Sequence, residues 1–224
     1  MDPDIRLATD RRDFLFICIV IKEHIDTIIF DFGGVLINID YHRTIDAFKS
    51  LGLEDFEERY SQANQSSLFN DFETGKLSTQ RFVNELLDFL PAGTSPNQVV
   101  QAWNAMILDV PTSAVDVLQS LQGKYRIFLL SNTNEIHIPK ALNEWNKVTT
   151  VDFYDCFDHV YLSHEVGMRK PNEEIFQFVC REQSIVPENA LFIDDSAQHL
   201  VGAQKAGLQT YHLTNQASLS ELFS

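Results

Sequence analysis

Short apolar runs recur along the chain, and each is followed by turn residues and then by a segment with helical spacing of apolar positions. This alternation is typical of a parallel sheet whose strands are joined by crossover helices. The predicted strands are Thr27 to Phe32, Arg126 to Leu130, His159 to Leu162, Ala190 to Ile193 and Gln209 to His212. Helices are predicted over Thr112 to Gln122, Asn134 to Trp145, Asn172 to Glu182, Ala197 to Ala206 and Ser218 to Phe223.

The interval from 41 to 108 breaks this alternation, because it has helical spacing throughout and no convincing strand. Its apolar positions, for example Phe82, Val83, Leu86, Leu87 and Leu90, would form one buried helical face. Ligands of open α/β sheets bind beyond the carboxyl ends of the strands, so a block that leaves the end of strand one would cover that site. The predicted fold is α/β, a Rossmann-like three-layer parallel-sheet core over 23–40 and 109–224 with an inserted helical cap over 41–108. Residues 1–22 form an extension to which no role is assigned.

Composition excludes several function classes. A formal net charge of -15 over 224 residues, without any Lys/Arg-rich run, disfavours binding to DNA or RNA. The run from Phe14 to Ile21 falls short of the roughly 20 apolar residues that span a bilayer, so no membrane association is predicted. Cys18, Cys156 and Cys180 lack the spacing of zinc ligands or a redox pair, which predicts ordinary thiols in a reducing, cytoplasmic compartment.

Two of the predicted strands end in polar residues. Asp31 is followed directly by Phe32 and two glycines, and Ser131 and Asn132 follow the second strand. Hydroxyl and amide groups at the start of a helix can hold phosphate oxygens. Each pattern alone is weak, because Asp, Ser and Asn are also ordinary capping and turn residues.

Two further segments add charge to the same edge. Lys170 precedes Pro171 at a predicted helix start, where it could neutralise both a carboxylate and a phosphate. Asp194 and Asp195 follow the fourth strand directly, and adjacent carboxylates raise each other's pKa unless a cation lies beside them. Oxygen ligands of this kind suit Mg²⁺.

These four motifs, in this order and at strand ends, closely resemble those of the haloacid dehalogenase-like (HAD) superfamily. The resemblance covers about Ile25 to Leu222, and the helical block matches the position of the family's helical cap. It implies a Mg²⁺-dependent phosphatase that acts on a small phosphorylated metabolite through an aspartyl-phosphate intermediate. The implied roles are Asp31 as nucleophile, Lys170 as charge stabiliser, Ser131 and the Asn132 amide as phosphoryl-binding groups, and Asp31, the Gly33 carbonyl, Asp195 and the supporting Asp194 as metal ligands.

The pattern departs from the family at Gly33. Most of its phosphatases carry a second Asp there, a general acid and base that contributes about 10²–10⁴ in rate. The Asp-x-Gly start and the Ile39-Asp40-Tyr41 sequence are similar to those of a subgroup resembling sugar-1-phosphate phosphatases. An anomeric oxygen leaves more easily than an ordinary alcohol, which favours a small sugar phosphate such as a hexose 1-phosphate. Asp40 is either a replacement acid or a residue of the hinge into the cap.

Two other functions remain open at this point. A 2-haloacid dehalogenase would use the same Asp31 without a metal, but that subgroup typically has an aromatic residue in place of Gly33 and lacks the paired acids at 194 and 195. A binding or regulatory protein could keep the fold after losing efficient turnover at Gly33. The sequence leaves the exact substrate and the oligomeric state open.

Overall fold

The structure, a computed structural model, describes residues 25–56, 67–216 and 219–223, so the predicted extension over 1–22 lies outside them. Its strands are β1 (Thr27–Phe30), β2 (Arg126–Ser131), β3 (His159–Leu162), β4 (Ala190–Asp194) and β5 (Gln209–His212). All pair in parallel, in the order β3-β2-β1-β4-β5. The end of β1 is therefore flanked by the ends of β2 and β4.

The helices of the described residues are α1 (Tyr41–Ser50), α2 (Ser67–Glu73), α3 (Thr79–Leu87), α4 (Pro96–Asn104), α5 (Thr112–Leu121), α6 (His137–Val148), α7 (Ser163–Val166), α8 (Glu173–Glu182), α9 (Ala197–Lys205) and α10 (Leu219–Leu222). In this part of the chain, none is long and apolar enough to cross a membrane. Cys156 and Cys180 are buried free thiols.

The sheet buries a different set of side chains on each face. Ile28 and Phe30 of β1 belong to a cluster that includes residues of α5, α6 and α10. Ile29, which points to the other face because side chains alternate along a strand, belongs to a cluster with residues of α8 and α9. The result is a helix, sheet and helix sandwich, which confirms the predicted α/β fold class.

The cap, α1 to α4, has a third apolar cluster whose largest side chains are aromatic rings. Phe72 and Phe82 stack with ring centroids 4.0 Å apart, and Trp103 lies 5.0 Å from Phe82 edge to face. Trp103 also stacks on the ring of His137 in α6, with centroids 5.1 Å apart. The cap is thus packed on its own core and contacts the sheet domain through α6 and α7.

The two chain segments that connect the cap to the core pair with each other. The Asn38 amide donates to the Asp109 carbonyl at 2.9 Å, and the Leu108 amide donates to the Asn38 carbonyl at 3.0 Å. A further bond joins the Asp40 amide to the Met106 carbonyl at 2.9 Å. This ribbon holds the entry and exit of the cap together, a few residues beyond the end of β1.

Among the element boundaries that differ from the sequence prediction, two have a clear local reason. β1 ends at Phe30 instead of Phe32, because the Phe32 carbonyl accepts the amides of Leu36 and Ile37 at 2.8 and 3.0 Å and the chain turns. α6 begins at His137 instead of Asn134, because the Asn134 side chain accepts the amides of residues 136 and 137 at 3.1 Å and caps the turn.

Candidate active site

A buried lysine joins two carboxylates at the carboxyl edge of the sheet. Lys170 Nζ lies 2.8 Å from Asp31 Oδ1 and 2.7 Å from Asp194 Oδ2. Asp31 follows β1 directly and Asp194 ends the neighbouring β4, so the parallel pairing of these strands brings the two acids together. Lys170 and Asp194 are fully buried, and Asp31 nearly so. The structure therefore places three sequence-predicted residues in one cluster.

Burial and charge act differently on the three groups. Burial raises the pKa of Asp31 well above its ordinary range, and Asp194 adds to this, so the Lys170 ammonium offsets only part of the effect. Burial would also raise the pKa of Asp194, but Lys170 and His199 outweigh it and hold that pKa below its usual range. Burial would lower the pKa of Lys170, but the two carboxylates raise it instead. The two carboxylates share one ammonium group, so the cluster has room for the charge of an added cation.

His199 is a member of this cluster that sequence reasoning missed. Its Nδ1 lies 3.0 and 2.9 Å from the two oxygens of Asp194, and the Ser196 amide donates to Asp194 Oδ1 at 2.7 Å. Ligand atoms of Asp31, Asp194 and His199 all lie within 4.8 Å of one another, which is a donor set that fits a divalent cation. The available signal was its position in the first turn of the helix that follows β4.

Asp195, the residue after Asp194, lies against the loop that follows Asp31. A side-chain carbon added at Gly34, which has a φ of +73°, would lie only 2.2 Å from Asp195 Oδ2. Asp195 is exposed where Asp194 is buried. The carboxylate of Asp195 thus reaches the glycine next to Gly33, whose carbonyl is the predicted metal ligand.

Ser131 and Asn132 continue the same edge on β2. Ser131 is buried at the end of the strand. Asn132 Nδ2 donates to the Lys170 carbonyl at 2.9 Å, and its Oδ1 accepts the Lys170 amide at 2.9 Å. The Asn132 side chain is therefore engaged in holding the backbone that carries Lys170.

A small cavity of about 80 Å³ lies between this edge and the cap. Its core wall includes Gly33, Ser131, Asn132, Thr133 and His137, and its cap wall includes Tyr41, Glu73, Trp103 and Met106. A larger cavity of about 480 Å³ lies near Asp26 and Arg126, at the opposite edge of the sheet. Only the smaller one is lined by the predicted phosphoryl-binding residues.

Glu73 is a second residue that the sequence reasoning missed, and it forms an ion pair between cap and core. Arg169 Nη2 lies 3.0 Å from Glu73 Oε2, and the two side chains are 26% and 18% exposed. Glu73 Oε2 and Arg169 Nε are buried atoms that make no hydrogen bond of good geometry within the described residues. The sequence offered only an acid and a base about a hundred positions apart, with no motif linking them.

Together, these features define an α/β fold that has a buried cluster of acids and a lysine at the carboxyl edge of its sheet and a helical cap beside that edge. The family model for haloacid dehalogenase-like hydrolases matches residues 25–207. The chain belongs to this family.

Named relatives agree with this assignment. A D-ribitol-5-phosphate phosphatase from Bacteroides thetaiotaomicron is 32% identical over 193 residues, which are 86% of this chain and 94% of that protein. A crystal structure of a HAD family enzyme from the same organism aligns with a TM-score of 0.83 and 34% identity, covering 90% of this chain and 100% of the other. A structure of that enzyme with magnesium and inorganic phosphate aligns with a TM-score of 0.78 and 36% identity, covering 84% and 93%. The prediction of a phosphatase acting on phosphoric monoesters is confirmed.

Proposed function

We propose that this chain hydrolyses a small sugar or sugar-alcohol phosphate through an aspartyl-phosphate intermediate on Asp31. The observation that carries the proposal is the 2.8 Å contact between Lys170 Nζ and Asp31 Oδ1 at the buried end of β1. A carboxylate approaches a phosphate dianion only where their repulsion is offset, and a buried ammonium beside the nucleophile supplies part of that offset.

In the first step, an Asp31 oxygen attacks phosphorus and the bond between phosphorus and the alcohol oxygen breaks. The Ser131 hydroxyl and the Asn132 backbone amide hold the phosphoryl oxygens, and Lys170 stabilises their negative charge. In the second step, water attacks phosphorus, the bond to Asp31 breaks and inorganic phosphate leaves. Asn132 keeps Lys170 in place through its two hydrogen bonds to the Lys170 backbone.

Asp31, the Gly33 carbonyl, Asp194 and Asp195 would hold Mg²⁺. The donor geometry supports the fit, because ligand atoms of Asp31, Asp194 and His199 lie within 4.8 Å of one another and carboxylate and carbonyl oxygens are ligands that Mg²⁺ prefers. Mg²⁺, when bound, supplies Lewis-acid stabilisation of the charge on the phosphoryl oxygens.

The wall of the cavity and the named relative support the substrate class. Hydroxyl, amide, carboxylate and imidazole groups in the wall suit a polar substrate. The relative that acts on D-ribitol 5-phosphate supports a phosphate on a primary alcohol. A hexose 1-phosphate, which the Ile39-Asp40-Tyr41 sequence favours, is the narrower alternative.

A panel of phosphorylated metabolites, assayed with Mg²⁺ by phosphate release, tests this function. We expect the wild type to hydrolyse sugar or sugar-alcohol phosphates, and Asp31→Asn to be slower by at least about 10⁴-fold because the nucleophile is lost. Asp88→Asn, at an exposed helix end, is the matched control and should retain activity. Full activity of Asp31→Asn would refute the mechanism, and halide release from 2-haloacids in excess chelator would establish the dehalogenase instead.

A further inference from the structure

The proposed reaction leaves one proton unaccounted for. An alcohol oxygen that departs from phosphorus must gain a proton, and a positioned acid contributes about 10²–10⁴ in rate. Gly33 stands where most phosphatases of the family carry that acid. If the substrate is a primary alkyl phosphate, another group must supply the proton.

Glu73 is the carboxyl group that the cap places over the reaction centre. It is the last residue of α2, and its side chain lines the same small cavity as Gly33, Ser131 and Asn132. An acid in this position faces the space that the alcohol part of a substrate would occupy.

Asp40, the acid considered from the sequence, has a different place. Its side chain accepts the His42 amide at 3.0 Å and so caps α1, and it lies 3.8 Å from Arg43. Among the described residues, Ile39 and Tyr41 line the cavity and Asp40 does not. Asp40 therefore belongs to the hinge into the cap.

The surroundings of Glu73 let it both give and take a proton. Burial raises the pKa of Glu73, and Arg169 offsets only part of that rise, which favours the protonated form needed in the first step. After the proton leaves, the guanidinium 3.0 Å away stabilises the carboxylate. Burial lowers the pKa of His137 to about 3, so this cavity histidine is neutral and does not compete as an acid.

Further titratable or charged groups lie on the elements around α2, which packs against α3 and α7. They are Arg81 and Glu85 on α3, His164 and Glu165 on α7, and Tyr41 in the cavity wall. Arg81 and Glu85 pair with each other at 3.2 Å. Arg169 is the charge that acts on the pKa of Glu73.

We propose that Glu73 is the general acid and base of this enzyme and replaces the acid missing at Gly33; the inference rests on the proposed aspartyl-phosphate reaction. In the first step, Asp31 bonds to phosphorus, the electron pair of the breaking phosphorus–oxygen bond passes to the alcohol oxygen, and that oxygen takes the Glu73 proton. In the second step, the Glu73 carboxylate takes a proton from water as the water oxygen bonds to phosphorus. The bond to Asp31 then breaks, and phosphate leaves with both catalytic carboxyl groups in their starting states.

The local packing at Gly33 agrees with an acid at position 73 instead of at position 33. A side-chain carbon at Gly33 would lie 3.2 Å from Ile39 Cδ1, so the hinge residue occupies the space next to that position. An Asp at 33 would need Ile39 to move, whereas Glu73 reaches the cavity from the opposite wall.

The test compares two leaving groups. In Glu73→Gln, we expect kcat/KM for D-ribitol 5-phosphate, or for the best alkyl phosphate of the panel, to fall by about 10²–10⁴-fold. For p-nitrophenyl phosphate the fall should be under about 10-fold, because p-nitrophenolate leaves without a proton. Glu85→Gln, on the exposed face of α3, is the matched control and should change neither value. An equal fall for both substrates would overturn the proposal and make Glu73 a binding or structural residue.

Two further readouts do not depend on overall turnover. In Glu73→Gln, p-nitrophenyl phosphate should give a burst of p-nitrophenol, with phosphorylated Asp31 detected in the intact protein by mass spectrometry, because the base for the second step is missing. Adding Gly33→Asp with Ile39→Ala to Glu73→Gln should restore part of the alkyl-phosphate activity. Absence of any burst together with absence of rescue would refute the proposal.

A measurement on the wild type covers the case in which Glu73→Gln does not fold. Across alkyl and aryl phosphates, wild-type kcat/KM should depend weakly on the pKa of the leaving alcohol and should fall as pH rises through the pKa of Glu73. A steep dependence on the leaving group would overturn the proposal. Failure of the reaction itself is distinguished by Asp31→Asn, which would then match the wild type on every substrate.

Discussion

The neighbouring residues Arg169 and Lys170 form three ion pairs, two of Lys170 and one of Arg169, in contrasting surroundings. Lys170 is fully buried and contacts Asp31 and Asp194 at 2.8 and 2.7 Å inside the core. Arg169 is about a quarter exposed and meets Glu73 across the boundary between core and cap. Both contacts of Lys170 are short. The pair of Arg169 and Glu73, in contrast, leaves the buried atoms Arg169 Nε and Glu73 Oε2 without a hydrogen bond of good geometry.

The difference separates a fixed charge from an exchangeable proton. A buried ammonium held by two carboxylates keeps its proton, because losing it would leave those carboxylates buried without a counter-charge. A buried carboxyl group with one poorly directed partner holds its charge less strongly, so its protonation state can change during a reaction. Lys170 is therefore suited to electrostatic stabilisation, and Glu73 to proton transfer.

Removing the lysine should give the largest effect. We expect Lys170→Met to lower the free energy of unfolding by about 3–5 kcal/mol, because it leaves Asp31 and Asp194 buried without their cation. Urea denaturation in the presence of chelator measures this. Adding Asp194→Asn to the variant should recover part of the loss, since one of the stranded charges is then removed. Unchanged stability in Lys170→Met would show that Lys170 does not offset the buried charges of Asp31 and Asp194.

Crowding the turn after α2 should have a smaller effect. Gly75 has a φ of +68°, and a side-chain carbon there would lie 2.1 Å from the His164 carbonyl oxygen; Gly123 has a φ of +75° and nothing within 4 Å. Alanine at either position carries the cost of left-handed backbone, about 1–2 kcal/mol. Gly75→Ala should lose about 1–3 kcal/mol more, because α2 must move away from α7. It should also lower alkyl-phosphate activity, as Glu73 lies two residues earlier.

Thermal denaturation and phosphate release on Gly75→Ala and Gly123→Ala make the comparison. Equal stability of the two variants would show that the boundary between cap and core tolerates displacement of α2.

Removing the arginine should have the smallest effect on stability. Arg169→Met should cost about 1 kcal/mol, because the pair is partly exposed and imperfectly bonded. The pKa of Glu73 should rise, since burial is then no longer opposed by a positive charge. A general acid works only while protonated, so the pH at which kcat/KM for an alkyl phosphate falls should move upward.

The matched control is Arg81→Met, which removes the exposed partner of Glu85 on α3. Its pH profile should coincide with that of the wild type. If kcat/KM of Arg169→Met fell at a lower pH than that of the wild type, the assigned role of the guanidinium would be contradicted.

The sequence by itself determined the parallel sheet, the insertion after β1 and the convergence of its strand ends. Apolar runs with turns after them predict parallel strands, and parallel strands bring their carboxyl ends to one edge. The sequence alone therefore places Asp31 and Asp194 at the same edge. Their local context, an acid directly after a buried strand, carried the necessary information.

The tertiary structure alone decided which side chains meet across that edge. His199 contacts Asp194 because α9 starts close behind β4, and Glu73 meets Arg169 because the cap folds back over the core. The position of His199 in the first turn after β4 was a weak signal for the first contact, whereas the second does not follow from residue spacing, since Glu73 and Arg169 belong to separately packed parts of the chain. Hydrophobic periodicity defines which face of an element is buried, but the relative placement of cap and sheet depends on packing summed over the whole interface.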